Sequence, residues 1–364
     1  MKKRLSNIEL LRIMSMLMII TLHLLSFSGL LETYKNFSFT SLLVWGLESL
    51  CFVAVNCYVL ISGYFLIDSS FKFKKLFKIW IEVFFYSVII YLSLLFTKTI
   101  TFGYASLLKS FFPILLGNYW FISVYTILYI LSPFLNKLVH ALNKSQYLYL
   151  IILIFLIFSV WNTFIPAIDT INYGGSYSIS WFICLYIIAG YLKRFPFRKN
   201  IRNWLYLFIY LLCSIINVFA YFLIKKLNIT FLRPDFLYNY YSITVLIAAV
   251  NLFLFFKGLN NVSNSSIQKL IAFFATSTFG IYLIHENPYV RPILWNFFKF
   301  LNNQSFINIL LAVITIPMTL FVFFMLLDKF RVFIFYITQK IFSNKKKSFH
   351  FKSLNMLEEK LCQK

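Results

Sequence analysis

The sequence predicts an all-α polytopic membrane protein, a bundle of about ten transmembrane helices. Hydrophobic residues fill 61% of the 364 positions and charged residues only 12%, whereas a soluble domain of this length needs far more charge on its surface. The apolar residues come in runs of about twenty, the length at which a helix crosses a bilayer. The net charge of +23 is scattered through short loops and the C-terminal end. This distribution suits an anionic membrane surface rather than nucleic acid.

Short loops connect the apolar runs, and none is long enough to fold as a soluble domain. The first run carries Arg12 and His23 and lacks a small-residue cleavage site, so we expect it to be a span rather than a cleaved signal peptide. Residues 104–116 predict a short interfacial or re-entrant helix. We expect residues 1–330 to form a single integral-membrane domain and residues 331–364 to form a basic cytoplasmic tail. The predicted spans cover residues 8–28, 41–67, 76–96, 118–136, 147–165, 179–193, 204–224, 237–256, 267–285 and 306–328.

The cysteines have no paired spacing, and four of the five lie inside apolar runs. We therefore interpret them as small hydrophobic residues rather than as disulfides or metal ligands, and we expect no metal site. They are Cys51, Cys57, Cys184, Cys213 and Cys362.

The first span contains polar groups that a simple anchor does not need. Arg12 and His23 are eleven positions apart, which in an α-helix places them on nearly one face and roughly 16 Å apart along the axis. Glu9 lies one turn before Arg12 and is expected to pair with it. A charged side chain at mid-membrane costs at least ~2.5–3.5 kcal/mol on insertion scales, which favours a functional role. The structural alternative is that Arg12 extends to the interface and His23 bonds a neighbouring helix.

A dense basic group is predicted at the inner end of the third span. Lys72, Lys74 and Lys75 are candidates, with Arg12, for binding the phosphates of a cytosolic ligand. Arginine suits this role because its guanidinium is a rigid fork of donors, whereas lysine is less directional. The positive-inside rule alone also accounts for the lysines.

Three further polar residues are predicted to support the bundle from within. Glu82 lies one turn beyond Lys78 and is expected to pair with it. Glu48 and Asn56, both in the second predicted span, are expected to face the bundle interior because lipid does not solvate them.

On the opposite side of the membrane, polar and aromatic residues gather at the ends of predicted spans. Such groups suit a sugar acceptor, and they equally suit an ordinary interfacial rim. The candidates for the acceptor side are Asn118, Trp120, Trp181, Tyr282, His285 and Glu286.

The pair Arg12 and His23, with ten residues between them, resembles the arginine-to-histidine motif of acyltransferase family 3, the integral-membrane O-acyltransferases. Other stretches in the same order are similar to that family, and the resemblance covers roughly residues 5–330. Many relatives have arginines after the second span where this chain has lysines. The similar stretches are CYVLISGYFL (57–66), the basic stretch 72–78, YWFISVYTILYILSPFL (119–135) and FGIYLIHENP (279–288).

The resemblance implies a bundle of ten helices in the plasma membrane of a bacterium. It implies transfer of an acyl group, usually acetyl, from cytosolic acetyl-CoA to a hydroxyl of a cell-surface polysaccharide or its lipid-linked precursor. His23 corresponds to the essential histidine, as general base or as acyl carrier, and Arg12 to its partner toward CoA. The expected partners are the bilayer, acyl-CoA and a glycan, with no nucleic acid and no tightly bound cofactor.

Two other classes of protein have similar composition. A polysaccharide flippase or polymerase is also polytopic, basic and rich in aromatic residues, but it has no need of an Arg–His axis. A non-catalytic subunit of a glycan exporter could keep the fold with a decayed site, whereas Arg12, His23 and His285 are all present here.

The distribution of Lys and Arg predicts the orientation. If both termini are cytoplasmic, most of the 34 Lys and Arg residues fall on the inner side, as the positive-inside rule requires, and His23 and His285 lie in the outer half. Tags at either terminus should then react with impermeant reagents only after the membrane is opened. A C-terminal tag labelled in intact cells would contradict this orientation. The outer side holds Lys35, Lys98, Lys109, Lys225, Lys226, Arg233, Arg291 and Lys299.

Overall fold

The computed structural model describes residues 5–165, 175–196 and 202–343, and these residues form helices and no β-strand. The predicted all-α class is confirmed. In chain order the α-helices are α1 (Ser6–Phe27), α2 (Leu30–Thr33), α3 (Phe39–Cys51), α4 (Ala54–Leu66), α5 (Phe73–Phe96), α6 (Tyr104–Phe111), α7 (Trp120–Ala141), α8 (Lys144–Ile154), α9 (Asn162–Phe164), α10 (Ile179–Arg194), α11 (Asn203–Lys226), α12 (Ile243–Gly258), α13 (Ser265–Ala275), α14 (Thr278–His285), α15 (Val290–Phe297) and α16 (Phe306–Ser343). A π-helical segment, Phe155–Trp161, joins α8 to α9.

All the predicted spans fall on helices, but within the described ranges only eight helical segments are long and apolar enough to cross a bilayer. The other two, α10 and α12, have 16 residues each. Sixteen residues reach about 24 Å, less than the ~30 Å of a hydrocarbon core. The protein is therefore a multi-pass membrane protein with eight spans by length, and the predicted count of about ten includes two shorter helices.

The two short helices lie inside the bundle, where they need not match the lipid thickness. Both pack against α4, and most residues of α10 are buried. The contact between α4 and α10 is close because Gly63 has no side chain: a Cβ there would lie 2.9 Å from the Cβ of Ala189. Small residues at a contact allow membrane helices to approach in this way.

α1 occupies the centre of the bundle. It packs against α3, α4, α12, α13, α14 and α16, and Leu11, Ile20 and Leu24 are fully buried. A helix that is apolar on nearly all sides is expected in such a position. The helix that carries Arg12 and His23 is therefore surrounded by protein.

Two of the predicted spans are interrupted near their middle. Phe52 and Val53 separate α3 from α4, and Thr276 and Ser277 separate α13 from α14. Non-helical backbone at membrane depth is tolerated where it is buried in protein or lines a cavity. Both interruptions therefore indicate where a cavity lies.

The last helix continues into the residues predicted to form the cytoplasmic tail. α16 runs to Ser343, so residues 331–343 extend the last helix. The remaining residues of the expected tail, from 344, lie outside the described part of the chain.

A buried charge network explains why the helix continues. Arg331 contacts Glu82 Oε1 at 2.7 Å and Asp328 Oδ1 at 2.8 Å, and the Tyr86 hydroxyl donates to Asp328 Oδ1 at 2.8 Å. Glu82 thus pairs with Arg331, not with Lys78 as the sequence suggested. The prediction of Lys78 used only the spacing along one helix, whereas Arg331, the observed partner of Glu82, comes from α16, the last helix.

The described cysteines behave as the sequence suggested. They are buried and free of disulfides, while Cys362 lies outside the described ranges. The four are Cys51, Cys57, Cys184 and Cys213.

Replacing Arg331 by Met should lower the free energy of unfolding by about 3–5 kcal/mol, because Glu82 and Asp328 would keep their charges without the cation. Thermal or denaturant unfolding of the purified protein in detergent measures this. Lys269→Met is the matched control, because Lys269 is exposed on α13, and it should change little. Equal stability of the Arg331→Met variant and the wild type would refute the structural role of this network.

Candidate active site

One cavity of about 1260 Å³ follows a single face of α1. Arg12, Met16, Ile19, His23 and Ser26 line it at intervals of three and four residues, which is the spacing of one helical face. Arg12 and His23 are therefore two ends of one continuous space. We call these the Arg12 end and the His23 end.

Arg12 has two polar neighbours, one at its side chain and one at its backbone. Its Nη1 contacts Glu9 Oε2 at 2.9 Å, as the sequence predicted, and its backbone carbonyl accepts a hydrogen bond of 2.9 Å from the Tyr58 hydroxyl. The guanidinium remains about a quarter exposed and reaches the cavity. Among the described residues, Glu9 is the one ion-pair partner of Arg12, and the guanidinium has further N–H groups that can donate to an anion.

Other cations reach the same cavity, but they differ from those the sequence favoured. Lys78 and Arg331 line it, whereas none of the predicted donor-binding lysines does. Because successive spans run in opposite directions, the start of α5 and the end of α16 lie on the same side of the bundle as the start of α1. The lysines that are exposed outside the cavity are Lys72, Lys74 and Lys75.

At the His23 end, two histidines and a glutamate come together from α1 and α14. His23 Nδ1 lies 3.2 Å from Glu286 Oε1, and the ring centroids of His23 and His285 are 5.3 Å apart. The other carboxylate oxygen of Glu286 lies 3.6 Å from Arg291 Nη1. A row of groups, from Arg291 through Glu286 to His23, thus ends at the cavity wall.

The end of α14 fixes His285 and Glu286. His285 Nδ1 lies 2.7 Å from the Ile281 carbonyl, which can only accept, so Nδ1 donates and Nε2 of the neutral ring is left as an acceptor. The Glu286 amide donates to the Tyr282 carbonyl at 3.0 Å and closes the helix. Burial raises the pKa of the Glu286 carboxyl, and the nearby His285 and Arg291 act in the opposite direction. The two side chains therefore reach the site from a rigid terminus.

Three atoms of this cluster are buried and have no hydrogen-bond partner among the described residues: His23 Nδ1, His285 Nε2 and Glu286 Oε1. The approach of His23 to Glu286 has the distance of a hydrogen bond but not its alignment. One possible ligand atom from each of the three residues lies within 4.8 Å of the other two. The side chains of His23, His285 and Glu286 can share a proton. Two histidines and one glutamate are also a set of ligands that binds zinc.

The predicted acceptor-side residues separate into two groups. Trp120, Tyr282 and Glu286 line the cavity, whereas His285 lies behind it, fully buried against His23. Trp181 is buried, and Asn118 donates to the Lys109 carbonyl, so neither faces this space.

Of the predicted supporting residues, two carboxyl groups face the cavity and one amide does not. Glu48 and Glu82 line it. Asn56 instead joins two backbone segments inside the bundle, where its Oδ1 accepts from Trp181 Nε1 at 3.1 Å.

Sequence reasoning assigned no role in the site to Arg291, Trp295 and Tyr58. The Trp295 ring lies 6.2 Å from that of His23, and Arg291 reaches Glu286 across the turn after α14. These contacts depend on how α15 folds back, and no periodic spacing in the sequence signals them. Tyr58 could have been noted as a polar group in an apolar span.

Comparison with known proteins gives one finding. The model of acyltransferase family 3, described as an acyltransferase domain, matches residues 5–328, nearly the whole chain. No curated protein and no solved structure matches. The matched residues include α1 with Arg12 and His23, the end of α14 with His285 and Glu286, and nearly all of the cavity between them. The chain therefore belongs to acyltransferase family 3 and is a multi-pass membrane acyltransferase.

Proposed function

We propose that this protein transfers an acyl group, in the first instance acetyl, from cytosolic acetyl-CoA to a hydroxyl of a cell-surface polysaccharide or of its lipid-linked precursor. The observation that carries the proposal is the single cavity that Arg12 and His23 share. A transfer across the membrane needs a cation for the donor on one side and a base near the acceptor on the other. Both are present along one helix face.

The donor is expected to enter at the Arg12 end. Coenzyme A carries several phosphates, and the guanidinium of Arg12 offers them directional hydrogen bonds. Lys78 and Arg331 add positive charge to the same space. The flexible pantetheine arm is long enough for the ~16 Å from Arg12 to His23 that eleven helical residues span.

At the His23 end, the proposed chemistry is general-base catalysis. With Nδ1 directed toward Glu286, His23 has Nε2 available to take the proton of the acceptor hydroxyl. The oxygen then attacks the thioester carbonyl, the carbon–sulfur bond breaks, and the CoA thiolate leaves and takes up a proton. Attack by His23 itself, through an acyl-imidazole, uses the same geometry with two transfers instead of one.

The two rival classes fit the site less well. A flippase or polymerase does not require a buried histidine–glutamate pair at the end of an arginine-lined cavity. A non-catalytic subunit could lose these groups without loss of function, but here Arg12, His23 and Glu286 are all in place.

Arg12→Ala should weaken donor use by roughly 10- to 150-fold, the effect of losing one charge-assisted hydrogen bond. Steady-state transfer by the protein in detergent or nanodiscs, at varied acetyl-CoA concentration, measures this. Arg12→Lys should restore only part of the loss, because the bidentate fork is gone.

Lys74→Ala is the matched control for Arg12→Ala. It removes a cation from the same side of the predicted topology but outside the cavity. If Lys74→Ala weakened acetyl-CoA use while Arg12→Ala did not, the exposed lysines would be the donor site.

His23→Ala should reduce transfer by roughly 10²- to 10⁴-fold, the usual loss on removing a general base. Expression and membrane insertion should be unchanged, because the span does not become less apolar. His285→Ala should lower activity but leave some, because His285 lies behind His23 and does not line the cavity. O-acetylation of the surface glycan, measured by NMR or mass spectrometry with and without the gene, is the readout.

Near wild-type acetylation by the His23→Ala variant, with no activity in the His285→Ala variant, would show that the general base is His285, on α14.

Treatment of the wild-type protein with a chelator provides the second control. Activity lost on chelation and restored by Zn²⁺ would mean that the three clustered atoms hold a metal ion rather than a proton.

A further inference from the structure

Glu48 is a buried carboxyl group that faces the cavity. It is 6% exposed, it lines the cavity, and its Oε2 has no hydrogen-bond partner among the described residues. No ion pair to Glu48 is found in the part of the chain that the structure describes. Burying such a group is unfavourable unless something completes its hydrogen bonds. Its position therefore points to a ligand.

The backbone beside Glu48 supports this interpretation. Glu48 lies in the last turn of α3, and its carbonyl accepts from the Phe52 amide at 2.9 Å where the helix is interrupted. Phe52, in the interruption, and Val55, just after it, line the same cavity. Interrupted helices at membrane depth occur where backbone lines a cavity, and they often mark substrate sites.

Four aromatic rings form the adjoining surface. Trp120 and Tyr240 are nearly parallel, at 17° with centroids 6.4 Å apart, and Tyr177 meets Trp120 edge-on at 4.6 Å. Phe52 lies 5.0 Å from Tyr240. All four rings line the cavity, and we call them the aromatic wall.

The arrangement of the wall indicates the kind of ligand. A cage for a quaternary ammonium group has ring faces directed at one central point. Here the rings pack against one another, so they present a surface rather than an enclosure. A surface of this kind suits a flat ligand with an apolar face and polar edges.

Hydrogen bonds within the protein fix the backbone of Tyr240, one member of the wall. The Tyr240 amide donates to Ser176 Oγ at 3.1 Å, and its carbonyl accepts from Asn56 Nδ2 at 2.8 Å. Trp181 Nε1 in turn donates to Asn56 Oδ1. A surface fixed in this way does not lose conformational entropy on binding.

We propose that Glu48 and the aromatic wall form the acceptor subsite and bind a pyranose ring, whose C–H face packs on the wall while a hydroxyl binds Glu48. The proposal rests on the proposed acyl transfer, since it identifies the acceptor's sugar. His23 lines the same cavity, so a hydroxyl of the bound or the neighbouring sugar unit is the one that loses its proton.

Saturation-transfer NMR on the purified full chain in nanodiscs tests the subsite without donor. The probes are the methyl pyranosides of glucose, galactose, mannose and N-acetylglucosamine, with choline as the cationic alternative. At least one pyranoside should receive saturation, mainly on the protons of one ring face. Glu48→Gln and Trp120→Ala should each weaken that binding roughly 10-fold or more.

Two further measurements separate binding from structure. Glu48→Leu should melt at the same temperature as the wild type or higher, because it removes an unpartnered buried group. Glu82→Gln is the matched control: it changes a carboxyl that lines the same cavity but pairs with Arg331, so it should lower the melting temperature and leave sugar saturation unchanged.

The outcomes are distinguishable. Saturation of choline but of no pyranoside, or pyranoside binding that Glu48→Gln and Trp120→Ala leave intact, would overturn the subsite. Acyl transfer with an unchanged acceptor KM in Glu48→Gln would also overturn it and leave the proposed function standing. Pyranoside binding that depends on Glu48, in a protein that never uses acetyl-CoA, would leave the subsite standing and refute the acyl transfer.

Discussion

The lack of hydrogen-bonding solvent inside a bilayer is the constraint on which this structure depends. A polar group at that depth either finds a protein partner or faces an internal cavity. Arg331, Asp328 and Glu82 meet the first condition. His23 and Glu48 meet the second, because each lines the cavity with a buried atom left unbonded among the described residues. Because Arg331 and Glu82 also line the cavity, what distinguishes His23 and Glu48 is the buried atom that each has without a hydrogen-bond partner among the described residues, not the residue type.

The elements that sequence predicted well were those set by local rules. Composition and apolar run length gave the all-α membrane class, and helical spacing placed Arg12, Glu9 and His23 on one face. Contacts between distant segments could not be read in the same way. Arg331 was assigned to a tail, since nothing near it in sequence shows that Glu82, on α5, neutralises it. The charge of Arg331 suggested that the helix had ended, but Arg331 is paired with Glu82 and lies within α16.

In the candidate site, too, sequence predicted the individual residues but not the contacts between distant segments. The sequence marked His23, His285 and Glu286 separately, and the structure adds that they meet and that Arg291, which also lines the cavity, contacts Glu286. The exposed lysines were favoured because they are dense, but density follows from the positive-inside rule and does not report which cations line a cavity. Glu48 was predicted to face the bundle interior and Trp120 to lie on the acceptor side, whereas the aromatic wall also needs Tyr240, which comes from the loop before α12.

The pairing of α1 with α14 has a consequence for biosynthesis. His23 leaves the ribosome with the first span, but Glu286 belongs to the turn after α14, near the end of the chain. Chains fold from the N-terminus as they are synthesised. The contact between His23 and Glu286 therefore cannot form until all but the last span has been synthesised. A chain that ends before α15 lacks Arg291, and one that ends before Glu286 also lacks the only carboxylate seen to contact His23 among the described residues, so neither can complete the cluster that we propose to be catalytic.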